Sequence, residues 1–208
     1  LRMTGASALP GEVVGVGIED ALALGANEIR KRLDLLGDYI VYVGRIEREK
    51  GCSRLFDDFV RFVQEGAPHL NLVLVGKSVL PIPIHVNITH LGILSDAEKL
   101  SAIGAARLLV HPSPFESLSM ALLEAWKMGR PALVNGRCSV LRGQVTRAGG
   151  GLYYNGYEEF AETLRWLLDH RGEADAMGRS GRAYFERNYA WDVVMDKYER
   201  LLAMVARG

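Results

Sequence analysis

The run Ala106-Arg107-Leu108-Leu109-Val110-His111-Pro112-Ser113-Pro114-Phe115-Glu116-Ser117-Leu118-Ser119-Met120-Ala121-Leu122-Leu123-Glu124-Ala125 holds a strand, a sharp exit and a helix start in one piece. The apolar residues 106–110 stop at two prolines, which cannot donate to a sheet ladder, so a buried strand leaves its sheet there. Ser119 is placed to cap a helix bearing Met120, Leu123, Ala125, Trp126 and Met128. Gly129 ends that helix and Pro131 bars its return. Glu116 then lies on the loop ahead of the helix, and Glu124 in its second turn. Strand, loop and helix start in this order make an anion site, because the first turn's free N–H groups and the dipole both face an incoming phosphate.

On either side of this run the same alternation recurs. Stretches dominated by apolar residues at Tyr39–Val43, 70–75, 86–91, 108–110, 131–135 and 152–154 read as strands. Between them fall helical patterns. One is 21–36, ending at Gly37 with Ile29, Leu33 and Leu36 on one face; the next follows Gly51 and bears Leu55, Phe56, Phe59, Val60 and Phe62. A short helix is expected over 96–104, and the end is helical over 158–169, 173–188 and 191–206. Residues 137–151 read as irregular and glycine-rich, and 12–16 as a linker or edge strand. Apolar strands each followed by a helix indicate an α/β fold, a Rossmann-like parallel sheet covered on both faces. Ligands of such sheets bind beyond the strands' carboxyl ends.

Composition narrows the function classes. With 208 residues, 49% of them hydrophobic, the chain can bury one substantial core. A formal net charge of zero gives no support to a nucleic-acid surface. Two cysteines, Cys52 and Cys138, are too few for a disulfide framework or a zinc site and read as reduced thiols of a cytoplasmic protein. No apolar run approaches the roughly 18 residues of a membrane span. No signal-peptide pattern opens the chain, and its start without Met reads as the edge of something longer.

Several motifs bear on chemistry. Gly44-Arg45-Ile46-Glu47-Arg48-Glu49-Lys50-Gly51 joins a strand end to a helix start and offers two cations to a diphosphate, Arg45 as a fork and Lys50 as a point charge. The competing reading is a solvated charged loop, since Glu47, Arg48 and Glu49 stand among them. Val75-Gly76-Lys77-Ser78 is not a P-loop, because the required earlier glycine position is Asn71, inside a strand. The five histidines show no metal-ligand spacing, and His111 reads as a structural partner. Gly-x-Ser-x-Gly is absent, as is a Gly-x-Gly-x-x-Gly turn after Tyr39–Val43, which argues against serine catalysis and against a dinucleotide cofactor. Trp191, Val194, Met195, Tyr198, Leu201, Leu202 and Val205 form one apolar stripe, whose opposite face mixes charges of both signs, unlike a helix selected by an anionic membrane.

Taken together, Gly44-Arg45…Lys50-Gly51, the turn Leu91-Gly92-Ile93-Leu94-Ser95-Asp96, and Pro112-Ser113-x-x-Glu116…Glu124-Ala125 resemble the retaining nucleotide-sugar glycosyltransferases of group 1 (family 4), which have the GT-B fold of two Rossmann-like domains. Gly129-Arg130-Pro131 and the closing Tyr189-Ala190-Trp191 helix match the same pattern. The resemblance covers nearly the whole chain but only the C-terminal, donor-binding half of such an enzyme. It implies a linker at 1–18, a nucleotide-sugar-binding domain at 19–190, and a last helix, 191–208, that would return to an N-terminal, acceptor-binding domain. By this resemblance Arg45 and Lys50 hold the donor's diphosphate and neutralise it as it leaves, which removes the need for a metal ion or any other cofactor. Glu124 accepts from the ribose hydroxyls, and main-chain groups at Gly92 and Ile93 meet the base. Glu116 bonds the sugar hydroxyls and is catalytic in that sense, with Arg45 and Lys50. Gly44, Ser117, Leu118, Ser119 and Met120 line the phosphate and sugar.

The family commonly has Gly-Phe-Gly-Leu where this chain has Ser117-Leu118-Ser119-Met120, which narrows the backbone's options and adds two hydroxyls near the sugar. The resemblance therefore implies transfer of a hexosyl group, mannosyl or glucosyl for example, from a UDP-, GDP- or ADP-sugar to an acceptor sugar or lipid held by the absent domain. It implies a cytoplasmic location, with peripheral attachment at the inner face of a membrane left open, and no nucleic-acid partner. Self-association through the last helix is also left open, and that helix's stripe is expected to be partly exposed. Two alternatives stand beside this reading. One is a nucleotide-sugar-binding or interaction module without activity. The other is a related epimerase or phosphorylase, for which the further acidic and histidine groups, or a pyridoxal lysine, have no counterpart in the sequence.

Overall fold

The computed structural model describes residues 15–18, 24–35 and 37–206. Among these, six strands form one parallel sheet. They are β1 (Tyr39–Val43), β2 (Asn71–Val75), β3 (Ile88–His90), β4 (Leu109–His111), β5 (Ala132–Asn135) and β6 (Gly151–Tyr154), in the order β3-β2-β1-β4-β5-β6. The helices are α1 (Ala26–Arg32), α2 (Cys52–Gln64), α3 (Asp96–Ala105), α4 (Met120–Lys127), α5 (Ser139–Ala148), α6 (Tyr157–Asp169), α7 (Arg171–Asn188) and α8 (Trp191–Val205).

Each strand splits its side chains between two cores. Tyr39, Val41, Val73 and Leu109 enter one, with Ile103 of α3 and Leu123 and Trp126 of α4; Ile40, Tyr42, Leu72 and Val110 enter the other, with Phe59 and Phe62 of α2 and Phe160 and Leu164 of α6. The period of two along a strand makes this division, and burial on both faces explains why β1 is apolar throughout and β2, β4 and β5 nearly so, while the edge strand β3 carries Thr89 and His90. One topological fact follows. β1 and β4 are neighbours, yet α2 leaves β1 for one face and α4 leaves β4 for the other. Their two exit loops diverge and leave a crevice at the carboxyl edge of the sheet, the place where such folds bind ligands.

Ser119 caps α4 as expected, its Oγ accepting from Leu122 N at 3.2 Å. Ser95 forms a full capping box with Glu98 at the start of α3. Trp126 is wholly buried, donates from Nε1 to the Gly150 carbonyl at 2.8 Å and meets Tyr184 edge-on, its ring lying where a side chain on Gly181 would be.

Two expectations need correction. Residues 137–151 are not irregular: they hold α5, whose Leu141, Gln144, Val145 and Ala148 are buried at helical spacing. Gly149 at φ 57° ends that helix, so the glycines that suggested a loop are its terminus. The first helix is shorter than 21–36, because it stops at Arg32 and Asp34 takes φ 50°; Leu36 and 19–23 lie outside the described residues. Most of the expected linker does too, though Ile18 bridges to Ala190 beside α8. On α8 Val194 is buried, whereas Trp191, Tyr198, Leu202 and Val205 are exposed, so the stripe is partly open as expected. No helix among the described residues is long and apolar enough to cross a membrane.

Candidate functional site

The crevice between the β1 and β4 exits is a cleft of about 290 Å³. Gly44, Arg45, Lys50, Glu116, Leu118, Ser119, Met120 and Glu124, all expected from the sequence, line it together. The local chain explains why. Gly51, in the left-handed region at φ 76°, turns the β1 loop into α2 and lies so close to the next loop that a β-carbon there would stand 2.5 Å from the Pro112 carbonyl oxygen. Asn135 Nδ2 donates to that same oxygen at 2.8 Å, and Ser113 Oγ donates to the Phe115 carbonyl at 2.9 Å. These contacts press the two loops together and turn Glu116 inward.

Across that seam Lys50 Nζ donates to Glu116 Oε1 at 2.7 Å. Arg45 reaches the rim and is gripped by Glu47 through two contacts, 2.6 Å from Nε and 3.0 Å from Nη2. On the far wall Glu124 Oε1 pairs with Lys99 Nζ at 2.8 Å, and Lys99 also meets Asp96 at 2.8 Å. Burial pushes the Glu124 carboxyl above its ordinary value and outweighs the pull of Lys99. Burial works to lower Lys99, but its hydrogen bonds to Asp96 and Glu124 leave the ammonium above the ordinary lysine range. The site is thus built of cations already matched by carboxylates: Arg45 by Glu47, Lys50 by Glu116 and Lys99 by Glu124 and Asp96.

Three expected residues sit elsewhere. Ser117 opens onto a neighbouring hollow with Lys50, Phe115, Glu116 and Arg137. Gly92 and Ile93 do not line the cleft. Gly92 accepts from Gly76 N at 2.7 Å, and Gly76 packs on the Gly44 carbonyl, so this turn stands one step farther along the same edge, with Ile93 exposed.

Two residues have a larger place than their local sequence suggests. Lys99 lies on α3 and reaches the site only because α3 packs against α4; the one hint is that a carboxylate buried on α4 needs a cation. His111, read as structural, is buried in the cleft wall with Nε2 3.8 Å from Glu116 Oε1 and Nδ1 without a hydrogen bond among the described residues. Burial, opposed by Glu116 and aided by Lys50, pushes its pKa down to about 4. A histidine that folds neutral contributes stability that is full above the unfolded value near 6.5 and is lost as pH falls toward 4. His111→Asn is therefore expected to flatten the loss of unfolding free energy between pH 6.5 and 4 relative to the parent chain, by an amount on the order of 3 kcal/mol. Urea unfolding across that range checks this, and parallel curves for the two proteins would contradict it.

Comparison with known proteins identifies the family and the fold. A family model described as glycosyl transferases group 1 matches residues 27–184, about three quarters of the chain. A GDP-mannose-dependent alpha-(1-6)-phosphatidylinositol dimannoside mannosyltransferase of Mycobacterium tuberculosis is 27% identical over 135 residues, 62% of this chain and 35% of that protein. Among solved structures, a sucrose-phosphate synthase from Thermosynechococcus elongatus superposes with a TM-score of 0.77 at 21% identity, covering 94% of this chain and 53% of its own. HepE from Anabaena, solved with UDP and glucose, gives 0.72 at 14% identity, covering 86% and 51%. The chain spans about half the length of these structures and about a third of the mycobacterial relative.

Proposed function

The chain belongs to the glycosyl transferases of group 1, and on that premise we propose that its cleft binds the diphosphate of a nucleotide-sugar donor for transfer of a hexosyl group with retention. The observation that carries this reading is the Lys50–Glu116 pair at 2.7 Å in the crevice, with Arg45 on one side and Glu124 on the other. Arg45 and Lys50 hold the diphosphate and stabilise the charge that develops on it as the bond to the sugar's C1 breaks, in place of a divalent ion. The acceptor hydroxyl attacks C1 from the same face and gives its proton to the departing phosphate oxygen. Glu116 accepts from the sugar hydroxyls, Glu124 from the ribose, and the main chain at Gly92 and Ile93 meets the base. Leu118, Ser119 and Met120 present their main-chain N–H groups to sugar and phosphate.

The mycobacterial relative is named for GDP-mannose and HepE was solved with UDP-glucose, so both bases and both sugars are live choices for this chain. A thermal-shift panel of UDP-, GDP- and ADP-sugars is the test: one base should stabilise the chain above the others, and within it one sugar. A second reading is binding without activity of its own. Transfer assayed with this chain alone, and with an acceptor-binding domain to which α8 would return, separates the two. The retained anomeric configuration is then read from the product by NMR.

A further inference from the structure

Behind the seam between Gly51 and Pro112 a second cavity, of about 220 Å³, opens at the carboxyl ends of β4, β5 and β6. Its wall carries Arg54 and Asp58 of α2, Arg137 of the β5–α5 loop and Tyr154 at the end of β6. Tyr154 is only 6% exposed, yet among the described residues its hydroxyl has no hydrogen-bond partner, and it is not sealed off from the cavity. Burial keeps this phenol protonated, so it stands as a neutral donor within reach of the fields of Asp58 and Arg54. Because it faces the cavity and has no partner in the fold, this hydroxyl is available to whatever occupies the cavity.

The cavity's charge says what would satisfy it. Arg54 spends Nε on Asp58 at 2.7 Å, which leaves its terminal nitrogens for another acceptor. Arg137 uses its main-chain N–H on Asn135 Oδ1 at 3.0 Å, while its guanidinium is exposed and makes no ion pair among the described residues. Around the cavity α2 and α5 begin at Gly51 and Cys138 with neither a side-chain cap nor an acidic residue in the first turn, so their positive ends add to the surplus, whereas the start of α6 is offset by Glu158 and Glu159. One carboxylate faces two guanidinium groups and a hydroxyl. The volume equals about seven waters at roughly 30 Å³ each, room for a phosphate and a few attached carbons.

We infer that this cavity is a second anion site, separate from the donor cleft, that takes a phosphate monoester with its phosphate between Arg137, Arg54 and the Tyr154 hydroxyl. Arg137 also lines the hollow that holds Lys50, Phe115, Glu116 and Ser117, so the carbon skeleton of the bound ester extends toward the Glu116 side of the donor cleft. The site does not depend on the donor reading, since Lys50 is not one of its residues.

The test is calorimetric titration of inorganic phosphate and of glucose 6-phosphate into the 208-residue chain and three variants. Glucose 6-phosphate should bind more tightly than phosphate. Arg137→Ala should weaken both by about tenfold and Tyr154→Phe by about threefold, as expected for a charged and a neutral hydrogen bond, while Lys50→Ala leaves the binding of inorganic phosphate unchanged. Tyr154→Phe should keep or raise the melting temperature, because the hydroxyl it removes has no partner in the fold; a fall of several degrees would show that the hydroxyl serves the fold instead. Phosphate binding as tightly as the ester would assign the site to free phosphate and overturn the monoester. No binding at tens of millimolar, or binding that Lys50→Ala abolishes and Arg137→Ala spares, would overturn the site.

Discussion

Lys50→Ala is expected to remove the thermal stabilisation that a nucleoside diphosphate gives this chain, with a loss of affinity of tenfold or more. A charge-assisted hydrogen bond is worth about 1.5–3 kcal/mol, and each ~1.4 kcal/mol is a factor of ten. Lys50 sits at the seam of the two loops, on the β1 exit and paired across the cleft with Glu116 on the β4 exit. The substitution has a second effect that must be separated from the first. Glu116, whose side chain is 11% exposed, loses its partner at 2.7 Å, and a buried carboxylate left unpaired destabilises the fold by up to a few kcal/mol. The double variant Lys50→Ala/Glu116→Gln should recover most of the melting temperature, because the lone charge is gone, but none of the nucleotide response. Recovery of both would mean that Lys50 serves only to neutralise Glu116. Glu116→Gln alone should bind the nucleoside diphosphate at least as well as the parent, since Lys50 is released and the missing carboxylate belongs to the sugar.

The largest loss of stability is expected from Trp126→Ala, about 3–5 kcal/mol. Trp126 is fully buried where α4, α7 and the turn before β6 meet, and truncation removes its bond to Gly150, its edge-on contact with Tyr184 and the packing on Gly181. Neighbouring glycines offer no side chain to fill the space, so the cavity would persist. In a domain of this size each kcal/mol moves the midpoint by about 2–4 °C, which puts the fall at about 6–20 °C in a thermal melt. The consequence extends to function. α4 carries Ser119, Met120 and Glu124 into the cleft, so nucleotide affinity should fall in the same variant even at temperatures where it remains folded. A loss under about 1 kcal/mol would show that α4 is held chiefly by other contacts.

Much of this site can be read from local sequence because its parts are tied to local rules. The prolines after Val110 and the cap at Ser119 fix where a strand ends and a helix begins, and they carry Glu116 and Glu124 with them. Gly44 and Gly51 bracket Arg45 and Lys50 in the same way. Residues that join the site through packing leave no such trace. Lys99 depends on α3 lying against α4, and Glu47 looks like one more solvated charge until it is seen gripping Arg45. His111 follows a strand and reads as structural, although it stands 3.8 Å from the carboxylate at the centre of the site. The missed helix α5 shows the opposite limit. Its apolar stripe of Leu141, Val145 and Ala148 is present, but Arg142, Gly143 and the three glycines at its end mask it, and packing of that stripe into the core with Ala132 and Val134 of β5, rather than propensity, holds it helical.

If the β1 and β4 exits form a nucleoside-diphosphate site, calorimetric titration of UDP, GDP and ADP into the chain in the presence of EDTA will reveal it. At least one of them should bind one-to-one with a dissociation constant below about 1 mM, an affinity of roughly 4 kcal/mol, and Glu124→Ala should weaken it. No binding of any of the three at millimolar concentration, or binding that appears only when a divalent metal ion is supplied, would rule the site out.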